Sequence, residues 1–335
     1  MAVYTTIDDP SAYFKVQLFT GTGSSNAVTF NDTDTDMQPD LVWIKSRDDT
    51  NEHYISDSVR GTGKEIYSSL SNAEVSDANG VTAFGSDGFT VGSGTGLNGS
   101  SDSNVAWCWK ESATAGFDIV SFTPSGSGDA TVSHSLGVEP KMVITKGRES
   151  SSPWNTYNKN LHASAPEDYY VALNSTNASS SDSPGVFGAG MTSSNIGIGV
   201  GVGFTSGEDY IAYAFAEKQG FSKFGKYTGN GNAAGTYIYL GFRPAFFMTK
   251  KSSASGNNWT IWDNKRDPDN PMDLLLHPNS SNAENDSGDD IQFFSNGIRL
   301  NNTSGGNNAD GATYIFMAFA EAPTVNSKGV PCNAR

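Results

Sequence analysis

The chain has 335 residues, and 36 acidic against 21 basic residues leave a net charge of −15. That excess excludes a general nucleic-acid binder, which must neutralise phosphates, and charge-driven adhesion to an anionic membrane. Only 17% of residues are charged while Gly numbers 37, so the polar surface is built from Ser, Thr, Asn and Gly. Those residues suit short strands joined by turns and do not suit a helical bundle.

From the N-terminus, Met1 to Pro10 has neither a basic start nor an apolar stretch, so no signal peptide is expected. No run anywhere reaches the ~18 apolar residues of a membrane span. Residues 1–12 precede the first strand-like run and are expected to form a docking arm.

Five markers then recur three times in one order. The first is Tyr13-Phe-Lys-Val-Gln-Leu-Phe-Thr-Gly-Thr-Gly23, matched by Gly116-Phe-Asp-Ile-Val-Ser-Phe-Thr-Pro-Ser-Gly126 and by the stretch 220–231 with one residue inserted. The second is Gln38-Pro-Asp-Leu-Val-Trp-Ile-Lys45, matched by Glu139-Pro-Lys-Met-Val-Ile-Thr-Lys146 and Arg243-Pro-Ala-Phe-Phe-Met-Thr-Lys250. The third is Ser71-Asn-Ala-Glu74, with Thr176-Asn-Ala-Ser179 and Ser281-Asn-Ala-Glu284. The fourth is Ser86-Asp-Gly-Phe-Thr-Val91, with Ser295-Asn-Gly-Ile-Arg-Leu300 and a looser copy at Ser194-Asn-Ile-Gly-Ile198. The fifth is Asn104-Val-Ala-Trp-Cys-Trp-Lys-Glu111, with Tyr210-Ile-Ala-Tyr-Ala-Phe-Ala-Glu217 and Tyr314-Ile-Phe-Met-Ala-Phe-Ala-Glu321.

These repeats predict three units of about 104 residues, at 13–115, 116–219 and 220–322, a common size for a domain with its own core. Residues 323–335 are expected to form a C-terminal arm. In the fifth marker Ile211, Tyr213 and Phe215 point one way and Ala212 and Ala214 the other, so the strand is buried on both faces. Pro39, Pro140 and Pro244 suit strand starts, and Asp87-Gly88 and Asn296-Gly297 signal hairpins. The fold class expected is all-β, with three tandem antiparallel β-sandwich domains.

Few residues announce chemistry. Gly94 to Gly99 fits GxGxxG, but Ser, Asp and Asn and then a strand follow where a helix is required, so it reads as a Gly-rich loop. Gly220 to Lys226 imitates a P-loop, yet Tyr227 stands where Ser or Thr is required. Asp32, Asp34 and Asp36 have calcium-loop spacing, but Met37 and Trp43 replace the Gly and Glu of an EF-hand, leaving only a loose calcium site. No His lies three or four residues from another His or a Cys, which removes a zinc pattern. Cys108 takes the slot of Ala214 and Ala318 and reads as a small core residue. No cofactor and no catalytic residue is expected.

The aromatics say more. Trp107 and Trp109 sit in a repeat marker and read as core. Trp154 with Tyr157, and Trp259 with Trp262, follow polar loops and alternate with Asn, Thr and Asp, and Tyr54 lies in the corresponding stretch of the first unit. Exposed, such side chains suit stacking on sugar rings; the competing reading is a strand with one buried face.

The stretch 220–231, the run Tyr239-Leu-Gly-Phe-Arg-Pro-Ala-Phe-Phe247 with Lys250, and Tyr314 to Glu321 resemble a repeated domain of virion proteins from tailed, often marine, bacteriophages. Thr6 to Phe14 and Met37 to Lys45 resemble the same group, so the likeness covers residues 6–322. It implies a non-enzymatic structural or tail-fibre protein of the virion, present in many copies or as a homo-oligomer. Its implied partners are other virion proteins and host-surface carbohydrate, with no nucleic acid and no membrane insertion. The alternatives are a capsid- or tail-decorating protein without a receptor role, and a polysaccharide depolymerase. The middle unit departs most, since Gly197, Gly199, Gly201 and Gly203 interrupt what is a regular strand elsewhere.

Overall fold

The computed structural model of the chain describes residues 5–30, 34–182 and 185–321. The first segment supplies β1 (Phe14–Thr20), β2 (Asn26–Thr29), β3 (Leu41–Ser46), β4 (Tyr54–Asp57), β5 (Lys64–Tyr67), β6 (Val75–Ser76), β7 (Val81–Gly85), β8 (Gly88–Val91) and β9 (Ser103–Trp109). The second supplies β10 (Phe117–Phe122), β11 (Gly128–Ser133), β12 (Met142–Gly147), β13 (Asn155–Asn158), β14 (Tyr169–Ala172), β15 (Ser180–Ser181), β16 (Asn195–Val200) and β17 (Tyr210–Phe215). The third supplies β18 (Ser222–Thr228), β19 (Tyr237–Tyr239), β20 (Pro244–Lys251), β21 (Trp259–Asp263), β22 (Met272–Leu275), β23 (Asn285–Phe294), β24 (Gly297–Leu300) and β25 (Thr313–Ala320).

The all-β expectation holds. Among the described residues the only α-helix is the four-residue α1 (Thr95–Asn98), set in the Gly-rich loop. One strand order recurs. The large sheets run β1-β9-β3-β4-β5-β6, then β10-β17-β12-β13-β14-β15, then β18-β25-β20-β21. Smaller sheets cover them: β2-β8-β7, β11-β16 and β19-β24-β23-β22. The hairpin turns fall at Ser86-Asp87 and Ser295-Asn296, one residue ahead of the dipeptides in the sequence pattern, with each Gly opening the next strand. Pro244 begins its strand, whereas Pro39 and Pro140 lie two residues ahead of theirs.

The two-faced strands serve two different interiors. On β9, Ala106 and Cys108 face the small sheet of the first segment, with Val28, Val42, Ile44 and Phe89. The alternate residues, Val105, Trp107 and Trp109, join a central cluster instead. On β17, Ala212 and Ala214 pack with Val143 and Ile198, while Ile211, Tyr213 and Phe215 turn to the centre. The central cluster draws on all three segments: Trp109 lies 6.4 Å from Phe215 and 5.6 Å from Phe319, ring centroid to ring centroid. Burial on both faces therefore combines a sandwich interior with a shared centre.

Surface area measures how far the segments merge. A single globular protein of this mass exposes about 13,000 Å², and three separate bodies of one third the mass about 18,000 Å². The chain exposes 12130 Å², so the segments cover one another over thousands of square ångströms.

The junctions repeat in a cycle. Glu74 N–H donates to Arg148 O at 2.8 Å, Ser179 N–H to Ser252 O at 2.9 Å, and Glu284 N–H to Arg47 O at 2.8 Å. The third of these closes the third segment onto the first. In each case the donor sits at the end of the Asn-Ala marker and the acceptor two residues after the marker lysine. Those lysines, Lys45, Lys146 and Lys250, are buried, and burial lowers each ammonium to about 8. Lys146 Nζ reaches Ser71 O and Lys250 Nζ reaches Thr176 O, each in the preceding segment.

Candidate functional site

The aromatic residues marked out by sequence lie inside the molecule. Trp154, Trp259 and Trp262 are 0% exposed and Tyr157 1%. Trp154 Nε1 donates to Tyr67 O of the first segment at 2.9 Å, and Trp259 Nε1 to Ala172 O of the second at 3.0 Å. Both are junction residues, with indole N–H groups satisfied by the neighbouring segment. His53 holds the corresponding place in the first segment, where it accepts from Trp43 Nε1 at 3.0 Å. Tyr157 packs on Phe187 and Trp262 on Phe247. Tyr54 is half-buried against Tyr67 and Gly96 of α1, and burial pushes its hydroxyl up to about 12. None of the five is a free stacking platform, which corrects the carbohydrate reading of these residues.

Asp32 lies outside the described residues. Asp34 and Asp36 are exposed, and among the described residues no group of three His, Cys, Asp or Glu side chains could hold a metal. Cys108 is fully buried, and burial raises its thiol far above the ordinary range, so it is packing and not a nucleophile.

Two junctions carry buried ion pairs. Arg60 Nε meets Asp57 Oδ2 at 2.5 Å and Arg60 Nη1 meets Glu74 at 3.2 Å. Arg266 repeats this with Asp263 at 2.6 Å and Glu284 at 3.0 Å. Each aspartate also accepts from the next segment in the cycle: Tyr213 OH to Asp57, and Trp107 Nε1 to Asp263. The middle segment breaks the pattern. Asn158 replaces the aspartate, Leu161 the arginine, and Met317, which cannot donate, replaces Tyr213 and Trp107. Asn158 Nδ2 is buried without a hydrogen-bond partner.

The middle segment also carries a cleft of about 390 Å³. Three local differences set this region apart from the other segments. Asn155 stands where the first segment has Tyr54, leaving volume that a tyrosine fills. Pro124 stands where Gly21 and Gly229 each donate a backbone N–H to a carbonyl, Asp102 O at 2.8 Å and Ala312 O at 2.9 Å. Proline has no N–H, and that latch is absent here. The small sheet is reduced to β11 and β16, and the turn 185–190 lies on β16 in place of further strands. Gly197 and Gly199 make this approach possible: a Cβ would fall 2.4 Å from Phe187 O and 2.3 Å from Gly185 O. Gly197 and Gly199 thus let β16 accept a backbone at close range, while Gly201 and Gly203 lie in the turn beyond its end.

Ser150, Ser152, Asn155, Tyr170, Asp182 and Glu208 line this cleft. Ser150 Oγ donates to Glu208 Oε2 at 3.0 Å, and Asn155 Nδ2 donates to Gly203 O at 3.2 Å. No His, Cys or Lys is among the described lining residues, and behind them the buried Lys146 Nζ donates to Ser152 Oγ at 3.1 Å. Hydroxyls, an amide and carboxylates, with no cation among the described lining residues, suit a neutral polyhydroxylated ligand better than an anion. Sequence reasoning reached the glycine run but not these residues; the signals were Pro124 and the small Asn155.

A family described as a domain of unknown function (DUF7483) matches residues 9–323. The chain belongs to this family. The match runs through all three segments without a break, and the family description supplies no activity. No curated protein matches the chain.

Proposed function

We propose that the protein is a non-enzymatic structural component of a bacteriophage particle, seated at the surface as a decorating or fibre subunit. The observation that supports it most is the cyclic set of junctions, Glu74 to Arg148, Ser179 to Ser252 and Glu284 to Arg47, which ties the segments into one sealed body. Such a body resists local opening, as an exposed particle component must. A surface of uncharged polar residues also loses little to salt, which screens exposed ion pairs. Burial of the tryptophans moves weight from host attachment to decoration. Immunogold labelling of purified particles tests this: label on the capsid or tail surface supports it, and particles free of label overturn it.

The cleft in the middle segment favours a second reading, attachment to neutral host glycans. A glycan array probed with the whole chain tests that reading. Release of reducing sugar from host polysaccharide would instead place the protein among depolymerases.

A further inference from the structure

The third segment presents a groove of about 380 Å³ between two edge strands, β18 of its large sheet and β19 of its small one. On β19, Tyr237 and Tyr239 are 45% and 57% exposed, while Ile238 between them is buried. They are the only large aromatics among the exposed hydrophobic side chains of the described residues. Alternation along a strand puts both rings on one face, about 7 Å apart. Lys223 Nζ lies 5.4 Å from the centroid of the Tyr239 ring, and Lys226, on the same strand as Lys223, is exposed. Neither lysine is in an ion pair among the described residues. No carboxylate is among the described residues that line the groove, although the chain carries a net charge of −15. The floor is aromatic, because Gly225 lacks the Cβ that would strike the Phe316 ring at 2.6 Å. The middle segment forms one wall, where Asn160 Nδ2 donates to Phe224 O at 3.4 Å.

The geometry points to a binding groove for an acidic oligosaccharide, one built of uronic acid or sulfated sugars. Exposed tyrosines offer flat, amphipathic faces to sugar rings, and their hydroxyls take part in hydrogen bonding. The two free lysines supply the charge complement for carboxylate or sulfate groups. The rest of the acidic surface repels an anionic polymer, which confines it to this groove. An acidic peptide added as a strand is disfavoured, because β19 is only three residues long and offers little ladder to extend. This site is separate from the cleft of the middle segment; its use in host attachment rests on the particle reading above, while the binding itself does not.

Titration calorimetry on the whole chain tests it, with a hexamer of guluronate as the acidic probe and maltohexaose as the neutral one. The acidic hexamer is expected to bind at about 50 mM salt and to weaken as salt screens the lysines. Tyr239→Ala and Lys223→Gln are each expected to weaken it about tenfold. Both side chains reach the surface, so melting curves should not move. Absence of heat with the acidic hexamer, equal heat with maltohexaose, or variants that bind like the parent would each overturn the proposal. A hexaglutamate peptide that binds as tightly as the acidic sugar would also overturn it. Particles free of immunogold label would remove the particle reading and leave this result standing.

Discussion

Tyr213 of the second segment donates its hydroxyl to Asp57 Oδ2 of the first at 2.7 Å, the oxygen that Arg60 also holds. The phenol is fully buried, and burial keeps it protonated far above its ordinary range. It bridges two segments while helping to satisfy a carboxylate that has no access to water. A hydrogen bond to a charged group contributes about 1.5–3 kcal/mol. Tyr213→Phe should therefore lower the melting temperature by several degrees without unfolding the chain, since Arg60 still neutralises Asp57. A thermal melt that does not shift would show that the bond carries no net stability.

Trp259→Ala separates burial from display. The indole is fully buried and donates to Ala172 O across a junction. Its loss should cost about 3–5 kcal/mol, the range for large aromatic truncations in a core. Chemical denaturation monitored by circular dichroism gives the value. A change below about 0.5 kcal/mol, typical of an ordinary surface site, would contradict the junction role.

The middle segment taken alone, residues 116–219, should not fold as a stable monomer. Isolation bares Phe117, Ile144, Trp154, Ile211, Tyr213 and Phe215, which pack in the shared centre. So large an apolar face drives association or leaves a loose core. Circular dichroism with a heat ramp and size exclusion gives the answer. A soluble monomer with a cooperative melt would show that the small-sheet interior suffices.

Stability should fall as pH rises through the weakly acidic range, partly because of Glu65. Its side chain is buried, Oε1 has no hydrogen-bond partner, and burial, reinforced by Asp77, raises the carboxyl from 4.5 to about 7. Between those values the folded chain holds a proton that the unfolded chain has released. Stability from this group is thus complete below about pH 4.5 and lost as pH climbs through 7. Glu65→Gln should stabilise the protein at pH 8 relative to the parent and flatten the slope between pH 5 and 7. Urea midpoints at several pH values measure both. A variant weakened equally at pH 5 and pH 8 would exclude charge burial as the cause.

The strands were legible because period-two patterning needs only local sequence. Val105, Trp107 and Trp109 against Ala106 and Cys108 on β9 show it, and the recurring markers gave the order. What covers a strand was not legible. Trp259 beside Thr260 and Asp263 looks like an aromatic among polar residues facing solvent. In the folded chain Asp263 is paired with Arg266 and bonded by Trp107, and the indole meets a carbonyl of another segment. The polar neighbours belong to a buried junction, and no local pattern distinguishes that from a wet surface. Tyr237 and Tyr239 were the reverse case. Their alternation with Ile238 carried the exposure signal in three residues, too short a run to stand out.

The absent ion pair at the junction of the second and third segments has a consequence for how such a protein can change. In an assembly of three identical chains, replacing the aspartate at one interface replaces it at all three. Here the three interfaces are encoded separately. Asn158, Leu161 and Met317 could arise at one of them while Asp57 with Tyr213, and Asp263 with Trp107, kept the other two closed. The same independence lets the middle segment exchange a tyrosine for Asn155 and carry a cleft, and lets the third line an edge with lysines, at no cost to the remaining copies. Covalent linkage thus turns a repeated body into three positions that can specialise one at a time.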